Sequence, residues 1–308
     1  MRSPNEFDPA SPLEVSDRSP APRFRDPGAR GVLALRPIAW LLGLMDEVQA
    51  ESGPPRPVGR HELGVILTAC AGLMLIQFAS TEAIFFDLYA AWHASEVAGI
   101  EPGFGRFLLR NSTYYQLGSL LFWIACCVTG YFVLPVAYLK LTGRKLSNYY
   151  LGTAGFRDHK WLYLGAIGLM LPVLGIVSYS PAFQEIYPFY MSADRSWFDL
   201  VVWETAYVLQ FFALEFFFRA FLLEGLRPSF GVGAVFLMLL PYCMVHFPKT
   251  ASETAASIIA GLVLGALAMR YRSIWGGVLV HSFVAIGMDV LSLIQKGQFP
   301  PAALFPDA

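Results

Sequence analysis

The sequence predicts an all-α, polytopic transmembrane bundle of about seven helices, and three observations predict it. Hydrophobic residues make up 56% of the 308-residue chain and charged residues only 15%, against about 45–50% and about 25% in soluble domains. The apolar residues fall into long runs of roughly 20, the length a helix needs to cross the hydrocarbon core. Trp161, Trp197 and Trp275 stand at the ends of such runs, where an interfacial aromatic belt places them.

Residues 1–60 stand apart from this pattern. They hold 10 of the 21 prolines and 16 of the 45 charged residues, a composition that buries too little apolar surface to order itself, so disorder is expected. No apolar core follows directly on a basic start, so the segment does not read as a secretory signal. Within it, Gly31–Val48 is broken by Arg36 and Pro37. It is too short to span and is expected to lie as an interfacial helix.

Seven apolar runs follow: Leu63–Leu88, Tyr115–Tyr138, Trp161–Tyr179, Phe198–Leu222, Val232–Phe247, Thr254–Ala268 and Ile274–Leu293. Residues 61–197 are expected to form N-terminal helices and 198–295 a helical core made of the last four. The fifth and sixth runs are short. The sixth carries Ala260, Gly261, Gly265, Ala266 and Ala268, small residues that let neighbouring helices approach closely. Lys140, Arg144, Lys145, Arg157 and Lys160 crowd one loop, and eight arginines precede the first run. The positive-inside rule then expects a cytoplasmic N-terminus, and the membrane expected is the bacterial inner membrane.

Composition also excludes. The net charge of −1 offers no basic face for nucleic acid. Cys70, Cys126, Cys127 and Cys243 all lie in apolar runs without CxxC spacing, which fits packing rather than a zinc site or a disulfide framework. No cofactor is expected.

Ionisable side chains inside spans cost at least ~2.5–3.5 kcal/mol each at the helix centre and mark function when present. The fourth run contains Glu215 and Arg219, four apart and on one face, with Glu204 three turns earlier. The fifth contains Tyr242 and His246, again one turn apart, followed by Lys249 and Glu253. The seventh contains His281 and, two turns on, Asp289. Two histidines, a Glu–Arg pair and an aspartate on three helices are costly unless they converge on a wet cavity. A carboxylate and a histidine there can take a proton from water to make a nucleophile for a carbonyl. A second donor can hold the oxyanion. GxSxG and HExxH are absent, and Cys243 in an apolar span is an inert thiol.

The stretches Glu215-Phe-Phe-Phe-Arg219, Tyr242-Cys-Met-Val-His246 and His281-Ser-Phe-Val-Ala285 resemble the CAAX-protease and bacteriocin-processing (CPBP) family of glutamate-dependent intramembrane proteases. That family shows EExxxR, FxxxH and HxxxN on successive helices. The resemblance covers about residues 200–293 and departs at three places: Leu214 stands for the first Glu, Tyr242 for Phe and Ala285 for Asn. It implies an endopeptidase acting on membrane-associated protein substrates. Glu215 and His246 would activate water, Arg219 would hold Glu215, and His281 would stabilise the oxyanion. Tyr242, Lys249, Glu253 and Asp289 would support them.

Two points stay open on the sequence. At 1.5 Å per residue Glu215 and His281 fall in the inner halves of their spans and His246 near the outer end of its own. Glu253 lies at the level of His246, so Glu215 and Glu253 are both candidates for the working carboxylate. A non-catalytic membrane scaffold or immunity-type protein, or a metal-dependent hydrolase using His246, His281 and a carboxylate, are the alternatives.

Overall fold

The computed structural model describes residues 36–301 and 304–305. The Pro- and Arg-rich residues 1–35, and with them the start of the helix expected at 31–48, lie outside the described residues. The described chain is an all-α bundle, with no strand among the described residues. Six of its helices are long and apolar enough to cross a membrane.

Helix α1 (Arg36–Ser52) packs on one end of the bundle. Its Leu44, Met45 and Val48 are buried, and Arg270 donates to Glu47 and Glu51, at 2.9 Å each. Helix α2 (Arg60–Ala79) stops where the first expected span runs on to Leu88. Ser80 breaks it, and the Thr81 hydroxyl caps a separate helix α3 (Glu82–Trp92), as a Ser/Thr N-cap does. The short α4 (Pro102–Arg110) precedes the second span, α5 (Tyr115–Val128), which passes through π-helical Thr129–Val133 into α6 (Leu134–Leu141). Gly72 and Gly130 let α2 and this span touch backbone to backbone: a Cβ on either would collide with the other's carbonyl.

Helix α7 (Ala154–Val177) crosses next, and α8 (Pro181–Ile186) follows it. The longest span runs unbroken from Trp197 to Phe230 as α9 (Trp197–Glu215), a π-helical segment (Phe216–Leu222) and α10 (Leu223–Phe230). Every residue of that π-helical segment is buried. A helix that is covered all round sits in the interior of a bundle, and here the π segment of the second span lies against it. Phe132 meets Phe216 with ring centroids 4.9 Å apart, and Tyr131 meets Phe217 at 5.0 Å.

Then come α11 (Gly233–Met244), α12 (Ala251–Tyr271) and α13 (Trp275–Lys296). The fifth expected span, Val232–Phe247, is therefore corrected. Its helix has only 12 residues, about 18 Å at 1.5 Å per residue, against a hydrocarbon core of about 30 Å. Non-helical residues 245–250 follow it, with Lys249 against the rings of Phe189 and Tyr187. The sixth span is longer than expected, because the Thr250 side chain caps it and Arg272 ends it.

The turn between α12 and α13 is clamped at the basic end of the bundle. Tyr150 and Arg272 both adopt positive φ, at 52° and 49°, a conformation that costs a non-glycine residue roughly 1 kcal/mol or more. Both reach Glu224, through the Tyr150 hydroxyl at 2.6 Å and the Arg272 guanidinium at 3.7 Å. Arg227 completes the cluster with two bonds to the same carboxylate. The Ile274 amide donates to the Tyr150 carbonyl and Trp275 Nε1 to the Leu151 carbonyl, so the start of α13 is fixed, through residues 150–151, to the first turn of α10. Replacing Glu224 with Ala is expected to lower stability by about 1.5–3 kcal/mol, the range for bonds to a charged group. Denaturation of the purified protein in detergent measures this.

Candidate active site

Glu215 ends the α-helical part of α9 and Arg219 lies inside the π turn that follows. Neither has any solvent-exposed surface. Arg219 Nε lies 3.5 Å from Glu215 Oε2, and the other carboxylate oxygen, Oε1, takes a bond from His281 Nδ1 at 2.6 Å. His281 is brought there by α13, six residues after the clamped Trp275. On its far side, His281 Nε2 meets the Tyr242 hydroxyl at 2.8 Å. The Tyr242 ring lies under the Arg219 guanidinium, 3.9 Å from Cζ to centroid, within the range of a cation–π contact. Three helices thus contribute four polar side chains to one closed cluster: Glu215, Arg219, His281 and Tyr242.

His246 stands one turn beyond Tyr242, in the non-helical stretch that completes the α11 crossing. Its Nδ1 bonds to the Tyr242 carbonyl at 2.8 Å and its ring lies 4.8 Å from the Tyr242 ring. A carbonyl only accepts, so Nδ1 carries the proton and Nε2 presents a lone pair. Glu215 is hydrogen-bonded to His281 and ion-paired with Arg219, and His246 is not among its partners. Phe211, one turn before Glu215, stacks on His281 with centroids 5.5 Å apart.

The other candidates lie elsewhere. Asp289 is two turns beyond His281, about 12 Å along the helix axis. It is buried and holds the Trp203 indole at 2.8 Å and the Phe189 amide at 2.9 Å. Those bonds tie the 187–196 loop to α13, so Asp289 does not stand in for the missing Asn of HxxxN. Glu253 and Lys249 do not form an ion pair with each other among the described residues. Glu253 accepts from the Tyr187 hydroxyl at 3.0 Å and from Thr250 at 3.2 Å, as part of the cap of α12. Lys249 instead sets its Nζ over the Phe189 ring, 4.3 Å from the centroid. Glu204 is close to this second group, and its two carboxylate oxygens are covered without a hydrogen-bond partner among the described residues.

Two site residues escaped the sequence reading. A Cβ at Gly277 would collide with the Glu215 carboxylate, and one at Gly276 with the Tyr163 ring. Gly277 is four residues before His281 and on its face, so a glycine pair at that spacing from a histidine in an apolar run was the available signal. Gly261, within the small-residue stripe of α12, likewise leaves room for Leu239 and Tyr242.

Residues 196–286 match the family model of the Rce1-like type II CAAX prenyl endopeptidases. Over that stretch, under a third of the chain, the sequence is similar to this family. The match opens at the N-cap of α9 and contains Glu215, Arg219, Tyr242, His246, Lys249, Glu253 and His281, and it ends before Asp289. It bears out the family resemblance read from the three motifs. No curated protein and no solved structure matches the chain. The six apolar helices, together with the match to a membrane-protease family, make this an integral membrane protein.

The Glu215–Arg219 pair gives a prediction that needs no substrate. Removing one member of a buried pair leaves an uncompensated charge and costs about 3–5 kcal/mol, whereas apolar replacement of both is close to neutral. Glu215→Leu alone is expected to be destabilised by that amount, and Glu215→Leu combined with Arg219→Leu to recover most of it. Denaturation in detergent tests both.

Proposed function

We propose that the protein is an intramembrane endopeptidase that hydrolyses membrane-associated protein substrates with water activated by a carboxylate–histidine couple. The observation that carries the reading is the bond from His281 Nδ1 to Glu215, made inside the segment that matches the Rce1-like family. A carboxylate at Glu215 only accepts, so Nδ1 keeps its proton. His281 Nε2 is then the basic nitrogen of the couple. This assigns His281 the proton-accepting role rather than that of oxyanion donor.

In this reading Nε2 removes a proton from water and the hydroxide attacks the scissile carbonyl. The imidazolium, stabilised by Glu215, returns the proton to the departing amine. His246, protonated at Nδ1 toward the Tyr242 carbonyl, keeps a lone pair on Nε2 and serves as a second acid–base group. Arg219 holds Glu215 in place. Glu253 and Asp289 maintain the end of the bundle opposite the basic loops. That basic end, with Lys140, Arg144, Lys145, Arg270 and Arg272, is placed in the cytoplasm of a bacterial cell.

A non-catalytic scaffold is the second reading. It is favoured by the complete burial of Glu215, Arg219 and Tyr242 and by Leu214 in the position of the first glutamate. One experiment separates the two: purified protein in liposomes with a membrane-anchored reporter. The peptidase reading expects Glu215→Ala and His281→Ala each to lower cleavage at least a hundredfold, and His246→Ala about tenfold or more. Cleavage unchanged in all three sinks it. Among the described residues no three His, Cys, Asp or Glu side chains are grouped to hold a metal ion. Water activation by a carboxylate–histidine couple needs no metal, so cleavage is expected to survive strong chelators, measured in the same assay.

A further inference from the structure

His281 is the base of the proposed reaction, yet both of its nitrogens are engaged. Nδ1 is spent on Glu215, and the only remaining lone pair, on Nε2, accepts the Tyr242 hydroxyl proton at 2.8 Å. A lone pair that accepts one hydrogen bond along its axis has no second site to offer water. Tyr242 itself has no exposed surface, so the hydroxyl does not reach a substrate in its place.

A second observation converges on the same side chain. The Arg219 guanidinium is fully buried and none of its nitrogens finds a hydrogen-bond partner among the described residues. Its one ion-pair contact, to Glu215 Oε2 at 3.5 Å, leaves that oxygen unpartnered too. The face of the guanidinium is covered by the Tyr242 ring. Buried charged donors without acceptors are costly, so this arrangement gains when a carbonyl or carboxylate oxygen arrives and the ring moves aside. One side chain therefore covers both the base and the spare donors of the site.

Tyr242 is also placed where it can move as a unit. It sits near the C-terminus of α11, one residue after Pro241, and α11 ends at Met244 in the turn that carries His246. Its ring rests on Gly261 of α12, where any side chain would collide with it or with Leu239. His246 leans on the same ring and bonds to the same residue's carbonyl, so displacement of Tyr242 carries His246 with it.

We propose that Tyr242 is a latch. Its hydroxyl holds His281 Nε2 out of reach in the resting protein, and its ring hides Arg219. An extended peptide whose carbonyl oxygen binds Arg219 displaces it, releasing the base only when substrate is present. Tyr242 acts through His281 and is a positioning residue; the idea rests on the peptidase reading for its consequence but not for its direct test.

That test uses the full-length protein with Tyr242→Phe, which keeps the ring over Arg219 and removes only the hydroxyl. The chain has five histidines, so ¹⁵N-histidine labelling gives a short spectrum, in which His281→Gln assigns the signal of interest. The expected result is that His281 Nε2 moves to the position of an unbonded lone pair in Tyr242→Phe. Acylation of His281 by diethyl pyrocarbonate, followed by mass spectrometry, should become about three- to tenfold faster, the equivalent of one neutral hydrogen bond. Reporter cleavage should rise by a similar factor. An unchanged Nε2 signal, or unchanged acylation, overturns the latch. A shifted signal with slower cleavage also overturns it, since Tyr242 would then assist the reaction. If neither protein cleaves any reporter while the signal and acylation change as expected, the peptidase reading fails and the capped histidine stands.

Discussion

A glutamate and an arginine with no exposed surface, held 3.5 Å apart where the longest helix enters its π turn, are the constraint around which this bundle is built. Neither charge is stable alone in an apolar interior, so the elements that carry their neighbours must be in register before the core closes. That requirement explains several features at once. Gly277 clears space for the carboxylate. His281 takes the oxygen that Arg219 leaves. Tyr242 lends its ring to the cation, and the clamp at Glu224 fixes the start of α13 so that His281 arrives at the right height.

The backbone irregularities serve the same end. Two π-helical segments face each other across the second and fourth spans and pack ring on ring. Such π turns are concentrated at functional positions in helices. The crossing that carries Tyr242 and His246 is only 12 residues of helix and finishes as irregular chain. Irregular backbone within a membrane is tolerated where it is buried in protein or lines a cavity.

Much of this was legible in the sequence, and for identifiable reasons. Long apolar runs gave away the bundle because a membrane imposes length and composition together. Glu215 and Arg219 stood out because a charge in such a run is expensive, and the i, i+4 spacing showed that they share a face. What the sequence hid were relations between helices. Depth counted along straight helices separated His246 from Glu215 and His281, and it did not show that Tyr242, rather than His246, would reach His281. Asp289 looked like a site residue because it shares a helix with His281, and only the fold shows it tied to Trp203 and Phe189. Glu253, an equal candidate by depth, is drawn to Tyr187 on a loop whose path the sequence does not specify. The break at Ser80 was missed because the apolar composition continues through it.

The bond between Glu215 and His281 is what turns a buried ion pair into a candidate for acid–base chemistry, and it is open to direct measurement. A double-mutant cycle with Glu215→Gln, His281→Gln and the combined variant, followed by denaturation in detergent, isolates the coupling of these two side chains. Direct contact through a charge-assisted bond predicts a coupling of about 1.5–3 kcal/mol. Single effects that simply add would contradict the account, because the two residues would then contribute independently and no carboxylate–histidine couple would exist.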